Sequence, residues 1–176
     1  MIAISATDLT GLRWLATLPP VVAAATQPSV EALRGLLEAG GGADTVDESG
    51  WSALHAAATF DRLGAVELLL RAGATVDAPD EEGFTPLINA APFASVRCLQ
   101  LLVDAGADVH RASGSGTTAL HRAAGGDNAL AVRFLVSAGA RRDVRDAAGW
   151  TPLMHAVDAG AVSGVAALIT ARRSET

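Results

Sequence analysis

The chain has 176 residues, of which 50% are hydrophobic and 18% charged, with a formal net charge of −6. That apolar fraction supports a packed core and excludes intrinsic disorder, and no run approaches the roughly 18 uninterrupted apolar residues of a membrane span. The negative charge disfavours nonspecific binding to nucleic acid or to an anionic membrane. Alanine, with 38 residues, supplies much of the hydropathy; every basic residue is one of 13 arginines, a composition expected of a GC-rich, bacterial genome. The single cysteine, Cys98, excludes an internal disulfide framework and a multi-cysteine metal knuckle, and it suits a reducing cytoplasm.

At the start of the chain, Val21-Val22-Ala23-Ala24-Ala25 has the look of the end of a secretory leader. A leader also needs a basic start and a continuous apolar core, and here Asp8, Arg13 and the Pro19-Pro20 pair interrupt the run, so no cleaved signal is expected. Leu9, Leu12, Trp14, Leu15 and Leu18 are spaced for a short helix, and residues 1–16 are expected to cap whatever follows.

Beyond that point the chain repeats itself. Gly50, Gly83, Gly116 and Gly149 recur every 33 residues, as do Leu54, Leu87, Leu120 and Leu153, and Ala57, Ala90, Ala123 and Ala156. A period of this length signals a stacked array of supersecondary units. Each unit carries one short motif: Ser52-Ala53-Leu54-His55-Ala56-Ala57, Thr85-Pro86-Leu87-Ile88-Asn89-Ala90, Thr118-Ala119-Leu120-His121-Arg122-Ala123 and Thr151-Pro152-Leu153-Met154-His155-Ala156. A hydroxyl before proline predicts a capped helix start. Leu and Val at i, i+3, i+4 spacing predict a second helix with one apolar stripe, and Gly73, Gly106 and Gly139 are placed to end it.

These motifs resemble the ankyrin repeat, whose unit is about 33 residues with a Thr-Pro-Leu-His-x-Ala signature. The resemblance covers residues 17–176 and implies an all-α solenoid of helix-turn-helix units joined by β-hairpin-like loops. Its expected division is a degenerate first repeat over 17–46, then repeats at 47–79, 80–112 and 113–145, and a C-terminal capping repeat at 146–176. The same resemblance implies that His55 and His121 are structural clips bonded to neighbouring backbone; Ile88 and Met154 replace them in the other copies.

No catalytic, cofactor-binding or metal-binding residues are expected. Cys98 sits on an apolar helix face and reads as an inert thiol. There is no Gly-x-Ser-x-Gly elbow and no phosphate loop, and the runs Gly40-Gly41-Gly42 and Gly114-Ser115-Gly116 fall in inter-repeat loops. The histidines show no tight ligand cluster. A hydrolase built on His121, His155 and Asp158 is the weakest alternative, since His155 and Asp158 share one short helix while His121 belongs to another unit.

The informative residues are those the repeat does not dictate. The position after each loop glycine holds Trp51, Phe84, Thr117 and Trp150, and the end of each first helix holds Phe60, Phe93, Gly126 and Ala159. The resemblance places both positions toward a concave groove. Aromatic anchors on adjacent steps of a rigid surface suit a protein-binding hot spot, and packing of loop on loop is the other use of the same residues. Residues 1–110 carry 14 acidic residues and 5 Arg, a net of −9; residues 111–176 carry 5 and 8, a net of +3. Asp80, Glu81 and Glu82 lie beside Phe84. The expected function is a non-enzymatic protein-interaction module, monomeric when unbound, whose partner offers a basic patch. Inhibitor, toxin immunity protein and adaptor are the roles considered, with self-assembly of stacked solenoids as an alternative.

Overall fold

The computed structural model describes residues 18–171, within which ten helices form five consecutive pairs: α1 (Pro20–Ala25) with α2 (Glu31–Glu38), α3 (Ala53–Thr59) with α4 (Leu63–Arg71), α5 (Pro86–Ala90) with α6 (Val96–Asp104), α7 (Ala119–Gly125) with α8 (Ala129–Ser137), and α9 (Pro152–Asp158) with α10 (Val162–Thr170). The first helices of the pairs pack on one another in sequence, and α4, α6, α8 and α10 form a second row. The all-α solenoid read from the repeat is therefore the fold of the described residues. The hairpin character of the connecting loops is slight: it amounts to isolated bridges, Val46 with Ser52 and Ala112 with Thr118. The expected cap over residues 1–16 lies outside the described residues, as do residues 172–176.

Three of the pairs begin with the hydroxyl cap the motif predicts. The Ser52, Thr85 and Thr151 hydroxyls accept hydrogen bonds from the N–H groups of His55, Ile88 and Met154, and Pro86 and Pro152 occupy the first turn, where a missing N–H leaves no bond unmade. Small residues inside the first helices let the pairs approach closely: Ala53, Ala56, Ala57, Ala90, Ala123 and Ala124 are buried. Leu54, Leu87 and Leu120, with Leu69, Leu102 and Leu135, fill the space between rows.

Two turns show how neighbouring pairs are locked. Asp61 and Asp127 adopt left-handed φ values of 54° and 55°, a conformation that costs a non-glycine residue about 1 kcal/mol. Each carboxylate bonds the start of a helix in the next pair. Asp61 accepts from the Ser95 N–H at 3.1 Å and hydroxyl at 2.8 Å, and Asp127 accepts from the Gly164 N–H at 2.8 Å. Charge-assisted bonds of this kind offset the strain.

Gly164 is required for a different reason. A Cβ there would stand 2.5 Å from the Ala124 carbonyl oxygen, so α10 touches the backbone of α7 directly. Gly164→Ala should destabilise the protein by about 1–3 kcal/mol through overpacking, measured as the shift in midpoint on urea denaturation.

Candidate functional site

The two signature histidines are fixed by their hydrogen bonds. His55 Nδ1 accepts from the Ser52 N–H at 3.1 Å and lies 2.8 Å from its hydroxyl, while Nε2 lies 3.0 Å from the Phe84 carbonyl of the next pair. His121 repeats this arrangement with Thr118 and the Trp150 carbonyl. An Nδ1 that faces an N–H donor must be unprotonated, so both rings are neutral Nε2–H tautomers. Burial pushes both histidines below their ordinary pKa. They are inter-repeat clips with no nitrogen left for a metal or a substrate.

Cys98 is fully buried, and burial, with Asp61 nearby, pushes its thiol up to about 12. At neutral pH the thiol stays protonated and shielded from solvent. Among the described residues no group of three or more His, Cys, Asp or Glu side chains could hold a metal ion, and no helix is long and apolar enough to cross a membrane.

The histidine and aspartate grouping differs from the sequence expectation. His121 and His155 are brought together, ring centroids 5.2 Å apart, but the carboxylate on His155 is Asp146, at 2.7 Å from Nε2. Asp158 lies elsewhere, on the outer surface of α9 with Leu153, Met154 and Val157. Asp146 is itself a turn residue whose other oxygen accepts from the Ala148 and Trp150 N–H groups. The hydrogen bond from His155 and those N–H groups hold its carboxyl below the usual range.

The residues singled out as partner anchors fall into three places. Phe84, Phe93 and Thr117 converge on one cleft of ≈ 340 Å³, which Pro92, Arg122, Gly125 and His155 also line. Phe93 is 69% exposed there. Trp51 and Phe60 form a separate edge-to-face pair, centroids 6.4 Å apart. Trp150 stacks its edge on His155 at 5.5 Å and lines the outer surface of the last pair rather than the cleft. Asp80 is occupied within its turn, accepting from the Glu82 and Phe84 N–H groups and from Asn89, whereas Glu81 and Glu82 project as exposed side chains.

Sequence reasoning missed the centre of the cleft. Arg122 sits over the Phe84 ring with its guanidinium carbon 5.7 Å from the centroid, a cation–π geometry. In sequence it is only the variable residue of the third motif, and nothing local marks it.

The array of paired helices, joined at two steps by the histidine clips, defines a repeat scaffold. The family model described as ankyrin repeats (three copies) matches residues 21–113 and again 98–175. The chain belongs to the ankyrin repeat family, whose members are generally protein–protein interaction modules and typically non-enzymatic. No curated protein matches it.

Proposed function

We propose that the chain is a non-enzymatic module that grips a protein partner across the cleft and the aromatic steps beside it. The observation that carries this reading is the convergence of Phe84 and the 69%-exposed Phe93 on one cleft, with the Trp51–Phe60 pair one repeat earlier in the chain. Large rigid side chains bury much area for little rotamer entropy. Glu81 and Glu82, exposed next to Phe84, meet a basic patch at the rim, and the cytoplasmic roles that fit are inhibitor, toxin immunity protein or adaptor. The unbound module is monomeric.

The test is capture of the partner from the native host, followed by binding kinetics with folded variants. Trp51→Ala and Phe93→Ala should each weaken affinity by about 1–3 kcal/mol with helical content unchanged. Association should slow between about 50 and about 500 mM salt if the acidic rim steers the encounter. Folded variants that bind like the wild type would remove the cleft from the interface.

A second reading rests on the outer surface of the last pair. Leu153, Met154, Val157, Val162 and Ile169 are 39%, 46%, 64%, 77% and 68% exposed, and Asp158 is the one charged residue of the pocket lined by Trp150, Leu153, Met154 and Val157. Two copies meeting through this face encounter little charge repulsion. Light scattering at two concentrations tests it, and Trp150→Ala separates the readings: it should weaken self-association, leaving the cleft partner bound.

A further inference from the structure

The guanidinium of Arg122 is an uncommitted cation in the cleft. Among the described residues it makes no ion pair, and its buried Nε has no hydrogen-bond partner. Apart from the Phe84 ring beneath it, no carboxylate among the described residues stands within ion-pair distance of it. The buried Nε is out of a ligand's reach, but the terminal guanidinium nitrogens are neither paired nor among the buried unpartnered atoms, and a carboxylate is the group that pairs best with them.

The space in front of Arg122 is open because Gly125 follows it by one helical turn. Gly125 is not demanded by the backbone: its φ lies outside the left-handed region, and a Cβ there would meet nothing nearer than the His155 Cβ at 3.8 Å. Gly126 differs, since a Cβ there would strike Pro92 at 2.5 Å. The absence of a side chain at Gly125 thus leaves the cleft open without serving the packing. Phe93 and Pro92 supply an apolar wall on the other side.

We propose that this cleft receives a segment of the protein partner in which an Asp or Glu side chain sits beside an apolar residue. The carboxylate pairs with Arg122, and the apolar neighbour lies against Phe93 and Pro92 over Gly125. The cleft volume of ≈ 340 Å³ suits one or two side chains rather than a folded element. A single guanidinium, with the Asp146 carboxylate behind His155, matches a monoanion better than a doubly charged phosphate. This assignment rests on the protein-binding reading above and adds to it an acidic recognition element, distinct from the basic patch that Glu81 and Glu82 would meet.

The probe is a random dodecapeptide phage library selected on the full chain. Enriched peptides should carry an Asp or Glu next to a large apolar residue. Their affinity, measured by fluorescence polarisation on synthetic copies, should fall at least tenfold for Arg122→Ala and further for Arg122→Glu. Arg122→Lys should restore part of it. Gly125→Leu fills the cleft without touching the charge and should also abolish binding. Thermal melts of all four variants show that they fold. Enriched peptides without an acidic residue, binding that ignores both Arg122→Glu and Gly125→Leu, preference for a phosphorylated copy, or no enrichment would each overturn the proposal. If the library fails while the captured host partner still distinguishes Phe93→Ala from wild type, the acidic element falls and the interaction module stands.

Discussion

His55→Ala should lower the stability of the protein by about 3–5 kcal/mol, one of the larger single-residue effects available in this chain. The ring is fully buried. Its loss empties a cavity between two pairs, strips the Ser52 N–H of the Nδ1 acceptor and removes the Nε2–H bond to the Phe84 carbonyl. The third pair shows how much of that cost is polar. Ile88 occupies the same position, is 1% exposed, and fills its space without a clip. His55→Ile should therefore cost less than His55→Ala, by about 1–2 kcal/mol, since the volume is kept while the bonds are lost. Urea denaturation of the two variants measures both differences; equal losses would show that packing contributes nothing at this site.

The same geometry gives the protein an acid-sensitive range. A proton on Nδ1 of His55 or His121 would aim an N–H at the Ser52 or Thr118 N–H, and burial already lowers both pKa values. The unfolded chain, with histidines near about 6.5, takes up protons that the folded chain refuses. Stability is therefore full above about pH 6.5 and falls as the pH drops below it, until the lowered folded-state pKa values are reached. The slope can reach about 1.4 kcal/mol per pH unit for each histidine. Replacing both rings with isoleucine should flatten the curve between about pH 7.5 and 5.

What could be read from the sequence was what repeats. Gly50, Leu54, Ala57 and their copies are spaced by the period of the fold, and each performs a task set by its own turn or helix, so their positions carry the architecture directly. Contacts across pairs are different. The Arg122–Phe84 contact joins residues 38 positions apart, and neither residue announces the other. Proximity in sequence even misled, because His155 and Asp158 are i, i+3 neighbours, yet Asp158 ends α9 on its outer surface while the turn N–H groups aim Asp146 at the imidazole. Likewise the Asp80 carboxylate looked available beside Glu81 and Glu82, and its turn consumes it. Variable side chains become legible only when the stacking of neighbouring pairs places them.

Removing residues 146–176 should cost far more than losing one helix pair's local bonds. The final pair shows what an uncovered end looks like: Leu153, Met154, Val157 and Ile169 are 39%, 46%, 64% and 68% exposed, while their equivalents one pair earlier, Leu120, His121, Ala124 and Val136, are 0%, 1%, 0% and 0% exposed. Truncation transfers that exposure to α7 and α8. It also strips the His121 Nε2–H of the Trp150 carbonyl and the Asp127 carboxylate of the Gly164 N–H. Partial exposure of a leucine and a valine at about 1.5–3 kcal/mol per fully buried side chain, with one buried histidine clip undone at about 1–3 kcal/mol, sums to about 3–6 kcal/mol. That is a large fraction of the stability of a domain this size. The truncated chain should melt at clearly lower temperature and aggregate as it does so, because its new end is apolar and lacks even Asp158. Since each pair touches mainly its neighbours, the loss should be greatest in α7 and α8 and fade toward α1. Hydrogen exchange measured pair by pair would show this gradient; uniform loss of protection would mean that the array folds as one indivisible unit, and an unchanged melt that the last pair contributes nothing to the core.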